Sequence, residues 1–145
     1  MKVVVQRVKK TTLSVDEKLI SEIDFGLAVY LGIKVGDTEA EAKAIAKKVA
    51  GLRIFEDELG KMNLSVGQVG GQILLISQFT LYGDCTRGYR PSFCEAERPE
   101  KAVKLYEFFA EELRSYGMIV KTGVFGADMK IQQFNDGPVT IIYEL

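Results

Sequence analysis

The chain has 145 residues, is 47% apolar and 27% charged, carries a formal net charge of −1 and contains no histidine. That balance fits one soluble globular domain, expected over residues 1–145, with no global attraction for nucleic-acid phosphates. The missing histidine excludes Ser-His-Asp and Cys-His catalysis and any zinc site that needs imidazole.

Residues 2–8 read as a strand that begins at once, and Thr11–Val15 as another. The start turns polar too early for a signal peptide, and no apolar run approaches the ~20 residues of a membrane span, so a cytoplasmic location is expected. Asp16-Glu17-Lys18 is a turn into Leu19–Ile23. Gly26–Ile33 is a nearly unbroken apolar run between turn residues, the pattern of a central strand. Thr38 and Glu41 have the spacing of a capping box, in which hydroxyl and carboxylate satisfy orphan amides reciprocally. Ala42, Ile45, Ala46 and Val49 then form the apolar stripe of a first helix, which Gly51 stops.

Leu52–Phe55 reads as a short strand and Glu56–Lys61 as a solvated hairpin tip. Gly71–Ile76 is a second buried strand, and it ends in Ser77-Gln78-Phe79-Thr80. Two hydroxyls, an amide and an aromatic ring at a buried strand's end need hydrogen-bond partners or a ligand. The next stretch, Cys85–Phe93, mixes glycine, proline, arginine and aromatics, as an ordered binding loop does. Its Cys85, with Cys94, fits no zinc spacing and no disulfide framework; no metal and no cofactor is expected.

Pro99 suits a first helical position and Glu100 complements the dipole there. Ala102, Leu105, Tyr106, Phe109 and Leu113 line one face of this second helix, which Gly117 ends. Met118–Thr122 is a strand, Gly123–Ala127 a loop, and Asp128–Phe134 alternates. Asn135-Asp136-Gly137 reads as a turn before a last strand, Pro138–Tyr143. Many strands with two helices predict a single compact three-layer α/β/β domain with mixed, largely antiparallel sheets and two main helices.

Ser77-Gln78-Phe79-Thr80-Leu81-Tyr82 and Asn135-Asp136-Gly137-Pro138-Val139-Thr140 resemble the two signatures of the D-aminoacyl-tRNA deacylases. Val5-Gln6-Arg7-Val8, Gly60-Lys61-Met62-Asn63, Arg90-Pro91-Ser92-Phe93 and Thr122–Met129 extend the likeness over essentially the whole chain. It departs at Gly83, where alanine is expected, and in Cys85–Tyr89, where a loop richer in lysine and asparagine is expected.

The resemblance implies a homodimer that hydrolyses the ester of a D-amino acid, or of glycine, on the 3′-terminal adenosine of tRNA. It assigns catalysis to Ser77, Gln78, Phe79 and Thr80. It places a cis Gly137-Pro138 peptide, held by Arg7, in the neighbouring subunit's pocket as a chiral gate. It lays Phe125 and Met129 against the terminal adenine.

Such chemistry needs no histidine, because an aminoacyl ester is already activated. Backbone amides near Phe79 and Thr80 can hold the developing oxyanion, and the ribose 2′-hydroxyl can position water. The other route makes Thr80 the nucleophile, although no histidine is present to activate it. Two non-catalytic readings stand beside these: a binding module for single-stranded nucleic acid that stacks bases on Phe125, and a metabolite-binding oligomer.

Overall fold

The computed structural model describes all 145 residues. Eight strands and two helices follow in the order β1 (Lys2–Val15), β2 (Lys18–Ile23), β3 (Gly26–Gly32), α1 (Glu39–Ala50), β4 (Phe55–Glu56), β5 (Met62–Leu64), β6 (Gln72–Ser77), α2 (Pro99–Ser115), β7 (Ile119–Thr122) and β8 (Lys130–Glu144). The main sheet runs β2-β1-β3-β6-β7, with β8 also paired to β1; β4 and β5 form a separate hairpin. All three partners of β1 are antiparallel to it, whereas β3-β6 and β6-β7 are parallel. The sheet is therefore mixed, and the α/β class expected from sequence holds.

The parallel pairs explain where the helices lie. A parallel neighbour requires a crossover, and crossovers of one hand stepping in one direction put their helices on one face. α1 carries β3 to β6, α2 carries β6 to β7, and both helices pack into one core with each other. Leu27, Val29, Leu31, Ile73 and Leu75 face the helices; the alternate residues Ala28, Leu74 and Ile76 face a smaller core with Val8, Leu13 and Ile23. Strands buried on both faces read as continuous apolar runs, which is why β3 and β6 were recognisable. The sheet curls around this smaller core until β2 meets β7, where Ser21 Oγ donates to the Thr122 carbonyl and Lys121 Nζ to the Glu22 carbonyl, each at 2.6 Å.

The helix signals are realised. Thr38 Oγ1 accepts from the Ala40 amide at 3.2 Å and Glu41 Oε2 accepts from the Thr38 amide at 2.8 Å. Pro99 occupies the first turn of α2, and Phe109 and Leu113 are fully buried. Removing a ring of that kind costs roughly 3–5 kcal/mol.

Three boundaries differ from expectation. β1 is one 14-residue strand and does not break after Val8. The residues 52–54 stay outside any strand, and the hairpin forms from Phe55–Glu56 with Met62–Leu64. Asn135-Asp136-Gly137 is no turn between strands: it lies inside the 15-residue β8, at an irregularity in its pairing with β1. Turn propensity lost there because β1 continues past it and offers backbone partners on both sides.

Candidate active site

β6 ends at Ser77, paired in parallel with Leu31 of β3, and the Gln78 amide extends the ladder by donating to the Leu31 carbonyl at 2.8 Å. Residues Phe79–Tyr82 then wind into one 3-10 turn, whose Leu81 amide donates to the Gln78 carbonyl at 3.2 Å. Gly32, at the end of β3, lets this turn sit close: a Cβ there would stand 3.0 Å from Leu81 Cβ and 3.2 Å from the Gln78 oxygen. Phe79 and Thr80 open the turn, so their amides precede its first internal bond. The Gln78 side-chain amide donates to the Thr80 hydroxyl. The Ser77 and Gln78 side chains are half-buried, and Phe79 is 58% exposed.

The loop after this turn is tied back to it. Asp84 and Ser92 exchange two backbone hydrogen bonds of 2.8 Å. Phe93 meets Phe79 edge-on, with ring centroids 5.1 Å apart. Gly83 leaves room for this contact, since a Cβ there would approach Phe93 Cε1 to 3.0 Å. The Thr86 amide donates to Asp84 Oδ1 at 2.8 Å and holds that carboxyl below its usual range. Cys85 and Cys94 are exposed free thiols.

A cavity of about 780 Å³ opens beside these residues, walled by Ser77, Gln78 and Phe79 on one side and by Phe125 and Met129 on the other. The far wall is anchored through one carbonyl. Leu75 O accepts from Tyr106 Oη at 2.8 Å and from the Gly123 amide at 3.1 Å, two residues before Phe125. Tyr106 also packs against Phe125, with centroids 5.8 Å apart, and burial pushes its hydroxyl pKa up to about 12.

Arg7, Gly137 and Pro138 form a second group, absent from the cavity wall of the same chain. Between the pairs Gln6↔Thr140 and Val8↔Asn135, the single residue Arg7 of β1 faces the four residues 136–139 of β8. The excess chain stands out as a protrusion. Its tip, Gly137 and Pro138, is exposed and joined by a cis peptide; Val139 returns to the core. Arg7 is 6% exposed and props the protrusion from below. Its Nη1 donates to the Ile54 carbonyl at 2.7 Å, and its Nε donates to the Asp136 carbonyl at 3.3 Å and faces Asp136 Oδ2 at 3.2 Å.

The profile of the D-Tyr-tRNA(Tyr) deacylase family matches residues 4–144. The chain belongs to that family. It is 56% identical over 144 residues to a D-aminoacyl-tRNA deacylase of Bacillus cereus (strain B4264), covering 99% of each chain. It is 55% identical to a D-aminoacyl-tRNA deacylase of Bacillus thuringiensis (strain Al Hakam), again over 99% of each. Among solved structures it resembles the c-Myc DNA Unwinding Element Binding Protein, with a TM-score of 0.94, 42% identity, and coverage of 100% of this chain and 99% of that one. A probable eukaryotic D-amino acid tRNA deacylase shares the fold, with a TM-score of 0.86 at 18% identity over 99% and 98% of the two chains.

For a member of the deacylase family, the candidate residues thus fall into two places within the chain. Ser77, Gln78, Phe79, Phe125 and Met129 share the cavity. Thr80 is beside it, bonded to Gln78. Arg7, Gly137 and Pro138 stand apart. Sequence reasoning missed Phe93, Tyr106 and Arg98 as neighbours of the cavity. Tyr106 was hidden in an apolar helical stripe, where nothing distinguishes a core ring from one with a hydroxyl task. Phe93 was visible only as part of the Arg90-Pro91-Ser92-Phe93 motif.

Proposed function

We propose that the protein hydrolyses the ester between a D-amino acid and the 3′-terminal adenosine of tRNA, in the cytoplasm, with the cavity between Ser77–Phe79 and Phe125/Met129 as its site. The cavity carries this reading. It joins an aromatic, thioether-lined wall suited to an adenine with a strand end whose opening amides have no internal partner. Amides of Phe79 and Thr80 donate to the carbonyl oxygen as it becomes an oxyanion, the largest single contribution in acyl-transfer sites. The ribose 2′-hydroxyl positions the attacking water. Thr80 orients Gln78 rather than attacking, since its oxygen accepts from that amide and no base adjoins it.

The protrusion at Gly137-Pro138 completes the site of a second subunit. Two features support a homodimer: the tip is exposed and held stiffly by Arg7, and β8 has pairing only with β1, presenting Phe134 and Ile142 at 64% and 66% exposure. In that arrangement backbone carbonyls of the tip fix the substrate ammonium, and an L side chain strikes the peptide wall. Glycine has nothing to exclude, so glycyl-tRNA is hydrolysed while L-alanyl-tRNA is spared.

The test is ester loss from D-tyrosyl-, L-tyrosyl-, L-alanyl- and glycyl-tRNA. Loss of the D and glycyl esters above the uncatalysed rate is expected. Glycyl-tRNA as resistant as L-alanyl-tRNA, at enzyme levels that clear D-tyrosyl-tRNA, would overturn the gate. The likeness to the 42% identical c-Myc DNA Unwinding Element Binding Protein favours one second reading, a nucleic-acid-binding module. Uncatalysed loss of every ester, with retained binding of a single strand, would support that reading instead.

A further inference from the structure

Arg98 is the sole cation on the cavity wall, and its guanidinium has no partner. The wall's two carboxylates are both engaged elsewhere. Glu97 accepts from the Arg98 amide at 3.0 Å, from Lys101 Nζ at 3.0 Å and from the Gly36 amide at 3.3 Å, and these bonds hold it below the usual carboxylate range. Asp128 is paired with Lys130 at 2.8 Å. Arg7, Arg53 and Arg114 each donate to a protein oxygen, and Arg87 and Arg90, exposed and without an acceptor, lie on the loop away from this cavity. The Arg98 backbone is also fixed. A residue before proline is confined to extended geometry, and Arg98 sits at φ −67° and ψ 148°. Its carbonyl accepts from the Lys101 and Ala102 amides at 3.2 and 2.9 Å. The side chain itself is exposed, so a five-donor fork is carried on a fixed backbone at the mouth of the cavity with no protein acceptor.

The chemistry of the proposed substrate says which acceptor it meets. This step rests on the deacylase reading. An aminoacylated terminal nucleotide has a cationic α-ammonium, a neutral ester and a neutral base; its anions are its phosphates. An unpaired arginine on the wall repels the ammonium and attracts the phosphodiester on the adenosine 5′-oxygen. We propose that Arg98 binds that 5′-phosphate and is a positioning residue for the terminal nucleotide. It sets how deeply the ester reaches toward Phe79, without touching the reacting atoms.

The test separates this from the deacylase reading by using binding of unreactive probes. Adenosine 5′-monophosphate and adenosine are titrated into the wild type, Arg98→Ala and Arg98→Lys, with binding followed by amide chemical shifts. Wild type is expected to favour the monophosphate by about tenfold, the size of one solvent-touched, charge-assisted hydrogen bond. Arg98→Ala is expected to bind both probes equally, at the wild-type affinity for adenosine, and Arg98→Lys to keep part of the preference. With D-tyrosyl-tRNA, Arg98→Ala should raise KM with little change in kcat. It should also flatten the slope of log(kcat/KM) against log[salt] by about 0.7, the release expected for one single-strand phosphate. Persistence of the monophosphate preference in Arg98→Ala, or equal weakening toward both probes, would overturn the assignment. A monophosphate preference that Arg98→Ala abolishes, in a protein that leaves D-tyrosyl-tRNA intact, would uphold Arg98 as the phosphate contact and sink the deacylase reading alone.

Discussion

Arg7 Nε stands 3.2 Å from Asp136 Oδ2 while its Nη1 donates to the Ile54 carbonyl at 2.7 Å, so one buried guanidinium ties the β8 protrusion to the segment before the β4-β5 hairpin. Arg7→Ala leaves the Ile54 carbonyl without its donor. An unsatisfied buried acceptor costs roughly 1–3 kcal/mol, and the protrusion loses its prop as well. Urea unfolding should show that loss, and hydrolysis of D-tyrosyl-tRNA should fall further than stability alone explains. Arg7→Lys should rescue only part of it, because an ammonium cannot span both acceptors as a fork does. An Arg7→Ala protein with wild-type stability would contradict the bonding described.

Gly137→Ala tests the tip. Gly137 has φ +123°, and a Cβ there would lie 2.8 Å from Val139 Cγ2 and 2.9 Å from the Val139 amide nitrogen. Such backbone is essentially reserved for glycine and costs roughly 1–3 kcal/mol for other residues. The strain sits in an exposed protrusion, so most of it should appear as displacement of the tip. The expected result is a loss of D-substrate turnover, weaker rejection of L-alanyl-tRNA, or both, with unfolding shifted by no more than that amount. Unchanged turnover and unchanged rejection would remove the tip from the site.

Thr80→Ala separates the two routes to hydrolysis. The Thr80 hydroxyl accepts from Gln78, so its removal should free the Gln78 side chain and slow single-turnover deacylation by about tenfold, the scale of one lost hydrogen bond. Complete loss of turnover in a folded Thr80→Ala protein would instead make the hydroxyl the attacking group.

Stability should be flat across neutral pH and fall at both extremes. Asp84 and Glu97 are held below the usual carboxylate range, chiefly by backbone amides. For them the unfolded chain binds protons more readily, so their contribution is complete above the ordinary carboxylate pKa and disappears as pH falls through the depressed values. Tyr106 is displaced the other way, up to about 12 by burial. Its contribution is complete below pH ~10 and is lost as pH rises toward 12. With no histidine in the chain, thermal unfolding should show no step between pH 6 and 7. Tyr106→Phe should blunt the alkaline fall. A step near pH 6.5, or an unaltered alkaline limb in Tyr106→Phe, would count against this assignment.

Much of this was readable beforehand because it depends on local chemistry. The capping box at Thr38 and Glu41, proline at the start of α2, and the two-face burial of β3 and β6 are decided by neighbouring residues. The polar end of β6 could be singled out for the same reason. What was not readable depends on pairing between distant strands. Asn135-Asp136-Gly137 has turn chemistry, but β1 runs uninterrupted beside it and turns it into a protrusion. The separation of Arg7 and Gly137 from the cavity, and the shared hold of Leu75 O on Tyr106 and Gly123, arise only when strands far apart in sequence meet.

The four-against-one count at the protrusion uncouples the length of the tip from the facing of the strand that follows it. After it, Val139, Ile141 and Tyr143 turn inward against the core while Thr140 and Ile142 turn outward. The facing of that last segment is set by its own pairing with β1, Thr140 opposite Gln6 and Ile142 opposite Val4, and not by counting through residues 136–139. A residue deleted or inserted among 136–138 is absorbed where no partner strand constrains it, leaving Thr140 and Ile142 outward and changing how far the tip reaches. Length changes in this segment are therefore expected to act on the tip alone while the sheet beside it stands.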